Sequence, residues 1–433
     1  MYRVFLGTLF AYITHPTFSY MMTLSAAQRP SLGLQLLNKV PEVTLYFWLI
    51  KVLGTTVGET AADFLNVSLN FGLTGTSIVT GVLLVIALFF QFRSKKYTPS
   101  LYWTAVVLIS VFGTLVTDNM TDALGIPLQT STIIFTILLA LTFVVWYARE
   151  KTLSIHSIFT RSRESFYWLA ILFTFALGTA SGDLMAEGLG LGYLITGVIV
   201  AALIAALAVA WRLRLNSILA FWLIYILTRP LGASLGDLLS QPHAHGGLGL
   251  GPTNTSALFI VAILVLVAYL TFSKKDVTTE ETIKKYEEQE PERGNVALQT
   301  AVTLLVIAAL ASGGYFLRQS SLQANEPVMQ GAATGGTATS TSALGDLSSF
   351  KSITQAILDS VNAGDWPGAN SHVNDLEYAW DNAQAQLKPM NSAAWNHIDG
   401  ALDKVFREVR AVHPNAQTAA PALQSLLSIL NNP

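Results

Sequence analysis

Ile50-Lys51-Val52-Leu53-Gly54-Thr55-Thr56-Val57-Gly58-Glu59-Thr60-Ala61-Ala62-Asp63 is an apolar stretch ending in a small residue, three residues, a second small residue, an acid, and another acid four places on. The pattern returns as Gly113-x-x-x-Thr117-Asp118-x-x-x-Asp122, as Gly178-x-x-x-Gly182-Asp183-x-x-x-Glu187, and as Gly232-x-x-x-Gly236-Asp237-x-x-x-Gln241. An ionisable side chain within an apolar span is costly, so its recurrence at one spacing marks it as used.

Around this motif, 433 residues that are 52% hydrophobic and 12% charged describe an integral membrane protein rather than two or three soluble domains. Apolar spans are predicted over 43–65, 71–92, 101–122, 126–148, 165–187, 189–211, 217–240, 255–272 and 296–317, each near the ~20 residues that cross a bilayer as a helix. Arg93, Lys95, Lys96, Arg149, Lys151, Arg161, Arg163, Arg212, Arg214, Lys274 and Lys275 follow the even-numbered spans, and the alternate turns hold no Lys or Arg. The positive-inside rule then puts the basic loops in the cytoplasm, the acidic motifs at the outer ends of the odd-numbered helices, and the N-terminus inside. The net charge of −2 gives no reason to expect a nucleic-acid partner. Cysteine is absent, which fits export without requiring it.

Each unit reads as a helix ending in the motif, a short Gly-rich turn, and a second apolar helix. The turns are Phe71-Gly72-Leu73, Leu124-Gly125-Ile126-Pro127, Leu189-Gly190-Leu191-Gly192 and Leu248-Gly249-Leu250-Gly251-Pro252; an aromatic recurs ahead of three motifs as Trp103, Trp168 and Trp222, with Thr44 in that slot of the first unit and Trp48 one turn on. Two-helix units cross the membrane twice, so the four share one orientation and are related by an axis along the membrane normal. The fold class expected is all-α: a polytopic membrane protein of four parallel-oriented two-helix repeats, a ninth transmembrane helix and a C-terminal soluble helical bundle.

With Tyr46-Phe47-Trp48 through Gly58-Glu59-Thr60 and its three echoes, the chain resembles a family of bacterial integral membrane proteins built from a repeat of unknown function. The resemblance covers about residues 38–275 and implies the fold and a bacterial inner-membrane location; it implies no substrate.

The expected organisation is an N-terminal leader (1–37), the membrane domain (38–275), a charged cytoplasmic linker (276–295), the ninth helix (296–317), a flexible tether rich in Ala, Gly, Ser and Thr (318–345), and an extracytoplasmic bundle (346–433). Val4 to Leu24 is apolar but interrupted by His15-Pro16, and reads as a signal segment, an extra helix or an interfacial leader. In the bundle, Ile353, Ile357 and Val361, then Val373, Leu376, Trp380, Ala383 and Leu387, then Trp395, Ile398, Leu402, Val405 and Val409 form apolar stripes at helical spacing, with Ser425 to Leu430 a short fourth helix.

Side chains four apart stack on one helix face, so Glu59 and Asp63, Asp118 and Asp122, and Asp183 and Glu187 form carboxylate pairs that share a proton or a cation. Asp237 stands alone, with Gln241 in the partner slot. A structural alternative has these acids only capping helix ends near headgroups, although a C-terminus is the electrostatically wrong end for them. Lys51 and Arg229 share one slot in the first and fourth units, which Ser110 and Phe175 fill in the others, and as buried cations each is expected to find a carboxylate. Oxygen ligands without cysteine favour hard divalent ions. His243 and His245 offer a further metal-capture point, against the alternative of a solvated loop. His372 with Asp375 and His397 with Asp399 read as surface. With no nucleotide-binding loop or nucleophile constellation, the chain is not expected to be an enzyme or to need a cofactor. The function expected is proton-coupled movement, by export, of a divalent metal cation; the alternative is a membrane-anchored sensor or scaffold whose bundle binds an extracytoplasmic protein partner.

Overall fold

A computed structural model describes residues 32–68, 71–124, 126–240, 248–283, 296–324, 344–388, 390–411 and 413–431. The chain is all-α. Among the described residues its helices longer than one turn are α1 (Leu45–Asp63), α2 (Gly72–Arg93), α3 (Pro99–Asp118), α4 (Leu128–Glu150), α5 (Arg161–Asp183), α6 (Tyr193–Arg212), α7 (Ser217–Ser240), α8 (Pro252–Ser273), α9 (Val296–Ala324), α10 (Ser348–Ala363), α11 (Trp366–Leu387), α12 (Ser392–Val409) and α13 (Ala416–Asn431).

The odd-numbered helices α1, α3, α5 and α7 form an inner ring. Each packs on the next, and α7 returns to α1. The even-numbered helices lie outside, each against the first helix of the following repeat: α2 on α3, α4 on α5, α6 on α7, and α8 back on α1. Burial separates the layers, since 61%, 56% and 50% of the apolar windows of α3, α5 and α7 are buried, against 17%, 28%, 11% and 22% for α2, α4, α6 and α8. The outer helices expose Ile78, Val85, Ile133, Val198, Leu264 and others as a continuous apolar surface, which a bilayer covers and water would not.

Among the described residues eight helices, α2 to α9, are long and apolar enough to cross a membrane, where nine were expected. The difference is α1, whose 19 residues include Lys51 and Glu59. Its apolar surface is spent on the packing against α3, α7 and α8 that places it among the spanning helices. The window of α9 is not buried at all; it is fixed at its ends, where Gln299 accepts from the Asn216 amide (3.0 Å) and Arg318 donates to the carbonyls of Leu189 (2.8 Å) and Gly190 (2.9 Å).

The motif glycines make the ring close. A Cβ at Gly113 would fall 2.8 Å from the Phe175 Cβ, and one at Gly178 would fall 2.5 Å from the Arg229 Cβ. Gly58 lies against Ser110 and Gly232 against Thr55 in the same way. Small residues thus let each inner helix lie directly on the next. In the turns, Gly72, Gly190, Gly192, Gly249 and Gly251 adopt positive φ, which explains their Gly content.

The basic end of the ring is closed by the segment before α1. Lys39 donates its amide to the Ile158 carbonyl (2.9 Å), Tyr97 donates to Asn38 (3.2 Å), and Glu42 donates to Asp276 (2.9 Å), so the strand of chain at 38–44 stitches three basic-end loops together. Lys39 also forms a buried ion pair with Glu164 (2.6 Å). Asp276 and Thr278, expected to begin a linker, are pinned here instead: Tyr97 donates to Asp276 (2.5 Å) and Thr278 to Glu42 (2.7 Å). Burial pushes the Asp276 carboxyl up, against the pull of the Tyr97 hydrogen bond.

Helices α10 to α13 form the C-terminal bundle, with Leu344 and Leu347 already in its core. Trp380 and Trp395 stack at 3.8 Å between centroids. The last helix runs 16 residues, well beyond the short piece expected, because Ala419, Ala422 and Leu423 extend its buried face toward its N-terminus.

Candidate functional site

Helices α1, α3 and α5 each end in a π-helical turn, over Phe64–Ser68, Asn119–Ala123 and Leu184–Gly188. These turns widen the helix where the acids stand, a feature common at functional positions. In the second and third repeats the π turn begins directly after the first acid, so Asp122 and Glu187 belong to wider turns than simple α-helical stacking assumes. Asp63 closes α1, just ahead of its own π turn.

The acids of three repeats gather around the arginine of the fourth. Arg229 is fully buried and pairs with Glu59 across the α7–α1 contact. The same guanidinium donates to the Thr179 hydroxyl (3.1 Å), the Thr114 hydroxyl (2.5 Å) and the Thr55 carbonyl (3.4 Å), so it touches every other inner helix. Asp183 and Asp118 belong to its electrostatic surroundings, as does the Lys51 ammonium. Asp183 in turn has Glu187, Glu59 and Asp118 as charged neighbours. One planar fork with five donors in fixed directions serves three helices at once.

Lys51 behaves differently from Arg229. Its ammonium lies 3.6 Å from the Phe175 ring centroid and 4.1 Å from that of Tyr225, in a buried cation–π arrangement, and no carboxylate ion pair to it exists among the described residues. The expected carboxylate partner is replaced by aromatic faces because Phe175, the residue in the equivalent slot of the third repeat, turns to the same centre.

Below Lys51, toward the basic end, the ring is filled with aromatics. Phe47, Tyr102, Trp103, Tyr167, Trp168, Trp222 and Tyr225 are buried together, and the Tyr102 and Tyr167 hydroxyls meet at 2.6 Å. The recurring Trp is thus the floor of the site. The centre is therefore layered along the ring axis, with aromatic floor, Lys51, Arg229, and then acids.

Asp237 and Tyr193 stand with Glu187 at the acidic end, where the Tyr193 hydroxyl donates to Glu187 (2.7 Å). The side chains of Asp63 and Asp122, and the whole of Gln241, His243 and His245, lie outside the described residues. Among the described residues no three His, Cys, Asp or Glu side chains stand close enough together to hold a metal ion. Arg229 occupies the centre those acids would otherwise share.

The bundle meets the membrane helices at this same end. α11 contacts the third π turn, and α12 contacts the first two. Asp399, read from sequence as surface, accepts from the Trp380 indole (2.8 Å) and lies near Glu187. His372 and Asp375 are 3.7 Å apart on the surface.

The threonines escaped sequence reading, although Gly-Thr recurs as Gly54-Thr55, Gly113-Thr114 and Gly178-Thr179, one residue into each of the first three motifs. The 38–44 strap carried no pattern of its own.

The model of the Repeat of Unknown Function (DUF347) matches the chain four times, at residues 46–97, 101–152, 166–215 and 220–276. The chain is thus a membrane-associated protein with a four-fold internal repeat. No curated protein and no solved structure matches it.

Proposed function

We propose that this chain is a bacterial inner-membrane protein of the four-repeat family and a secondary transporter that exchanges a divalent metal cation for protons at the Arg229 cluster. The observation that carries the reading is the convergence of Glu59, Asp118 and Asp183, from three repeats, on one guanidinium of the fourth. Three carboxylates outnumber the two buried cations, Arg229 and Lys51, and buried excess charge must be met by protons or by a cation. Either supply is exchangeable with the other, which is the chemistry of antiport. A cation arriving among these acids competes with Arg229 for Glu59, so the guanidinium acts as a resident counter-cation that yields when substrate binds. Carboxylate and hydroxyl oxygens suit a hard ion.

In this reading the basic loops face the cytoplasm and the acidic end faces outward. The aromatic floor blocks the axis from the cytoplasmic side, leaving the site reached from outside. α1 crosses as the ninth helix of the membrane set, and the four repeats share one orientation about a central axis.

Purified protein in liposomes should move a cation from a panel of divalent metals and small organic ammonium ions, and the flux should respond to an imposed pH gradient. Absence of flux for every member would overturn the reading. The contact between the bundle and the π turns favours a second reading, a membrane-anchored sensor whose bundle reports to a partner. A chain lacking residues 325–433 separates the two: a transporter retains flux, whereas a sensor loses its cellular phenotype with the membrane helices intact.

A further inference from the structure

α11 and α12 pack on the three π turns, and on the bundle side of that contact Asp381 and Asp399 stand among the charges that act on, or are acted on by, the ring's acids. Asp381 on α11 has Glu187 and Asp237 of the membrane helices among its charged neighbours, together with Glu377 and Asp399 of the bundle. Asp399 on α12 is a neighbour of Glu187 in turn. α5 and the third π turn bring Asp183 and Glu187, α6 brings Tyr193, and α7 brings Asp237. The first π turn, Phe64–Ser68, has no ionisable side chain, and the second holds Asp122, preceded by Asp118. Within the bundle α11 also carries His372, Asp375 and Glu377 and is followed by Lys388, and α12 also carries His397, Asp403, Lys404, Arg407 and Glu408. α10 brings Lys351 and Asp359, and α13 has no ionisable residue. Lys388 is the basic residue whose charge reaches Glu187; Arg410 is engaged with Glu377 at 2.5 Å.

Two like-charged surfaces held in contact repel unless protons neutralise them. We propose that the C-terminal bundle is a proton-dependent cap, seated on the acidic end of the ring when the facing carboxylates are protonated and released when they ionise. The direction follows from linkage. Burial, with Glu187 and its neighbours adding to it, pushes the Asp381 carboxyl up, and burial pushes Asp399 up against the indole hydrogen bond of Trp380. The seated state therefore binds more protons than the released one, so falling pH favours seating and rising pH favours release, by up to about tenfold per pH unit for each proton let go. The bundle is joined to α9 through the chain itself, so release does not detach it from the membrane.

Seated, the cap covers all three π turns and so the approach to Arg229 from the acidic end. This consequence rests on the transport reading, but the seating itself is measurable without transport.

The chain has no cysteine, so spin labels can be placed cleanly. With Leu124→Cys in the second outer turn and Ser392→Cys at the start of α12, both exposed, electron–electron distance measurements on the full chain in nanodiscs should give one short, narrow population at pH 5. At pH 8 that population should fall at least tenfold in favour of a longer, broad one. Adding Asp381→Asn and Asp399→Asn, which keep shape but lose charge, should leave the short population dominant at both pH values. Circular dichroism at each pH verifies that the variant is folded, and Asp399→Asn alone, which can still accept from Trp380, should shift the transition to higher pH. A distribution that does not change between pH 5 and pH 8 overturns the proposal, as does a neutralised variant that still releases at pH 8. Either result leaves the liposome flux assay free to stand or fall independently.

Discussion

Replacing Arg229 with methionine removes the one group that touches all three other inner helices. Glu59, Asp118 and Asp183 then stand among buried threonines without their counter-charge. Breaking a buried pair by deleting one partner costs about 3–5 kcal/mol, because the remaining charge stays desolvated. Glu59 keeps 19% of its side chain exposed, so its share belongs at the lower end of that range. Asp118 and Asp183 lose their counter-charge too, which places Arg229→Met at the upper end. Glu59→Gln removes one of three acids around the arginine, which keeps Asp118 and Asp183 near it and still donates to Thr114, Thr179 and the Thr55 carbonyl, so its cost should be smaller, about 2 kcal/mol. The double variant has no Glu59 charge to strand, and its cost should fall short of the summed singles by about 1–3 kcal/mol. Equilibrium unfolding in mixed micelles, followed by tryptophan fluorescence, gives all four corners of the cycle. Additivity within about 0.5 kcal/mol would refute the idea that the two side chains act as one unit. So would Glu59→Gln proving costlier than Arg229→Met.

Three further outcomes follow from separate parts of the molecule. Gly178→Ala sets a Cβ 2.5 Å from the Arg229 Cβ and 3.3 Å from the Ile226 carbonyl, so α5 and α7 must separate; a loss of about 1–3 kcal/mol is expected, read as a lower unfolding midpoint in detergent, and an unchanged midpoint contradicts the close-packed ring. Lys39→Met strands buried Glu164 and should cost about 3–5 kcal/mol, while Lys39→Met with Glu164→Leu should recover most of it; no recovery would mean that packing rather than charge dominates there. Asp403 in the bundle is pushed up to about 7, first by burial and then by Asp399. Its raised value means stability that is full below the unfolded pKa of about 3.9 and lost as pH rises through about 7. Hydrogen exchange of α12, corrected for intrinsic rates, should therefore quicken between pH 5 and pH 8, and Asp403→Asn should weaken that dependence, leaving the part contributed by Asp399 and by the seating of the bundle. Equal protection at both pH values would count against it.

The helices of the membrane region could be read from sequence because apolar runs and basic loops are local signals. The predicted spans agree with the helices to within a few residues, apart from the longer α9, whose helix continues past Arg318 to Ala324. The four-fold repeat was equally visible, since the motif recurs in the chain itself. The π turns were not, because nothing in Asn119–Ala123 or Leu184–Gly188 distinguishes a wide turn from an ordinary one until neighbouring helices pack around it. Lys51 shows the limit most clearly. Its burial and its kinship with Arg229 are evident from alignment of the units, yet its partner is decided by which way Phe175 and Tyr225 turn, a matter of packing between repeats 1, 3 and 4. The 38–44 strap is a set of backbone hydrogen bonds, and backbone groups leave no mark on side-chain pattern. The place of the bundle over the π turns depends on contacts made across the whole length of the chain.

The account rests most heavily on the acids around Arg229 being the exchange site. Its direct test is proton movement in liposomes, recorded with an internal pH-sensitive dye as the transported cation is added outside, for the unaltered chain and for Asp118→Asn with Asp183→Asn. The account predicts cation-driven proton efflux from the first and its loss from the second, with the variant still folded by circular dichroism. Equal proton efflux from both would contradict it.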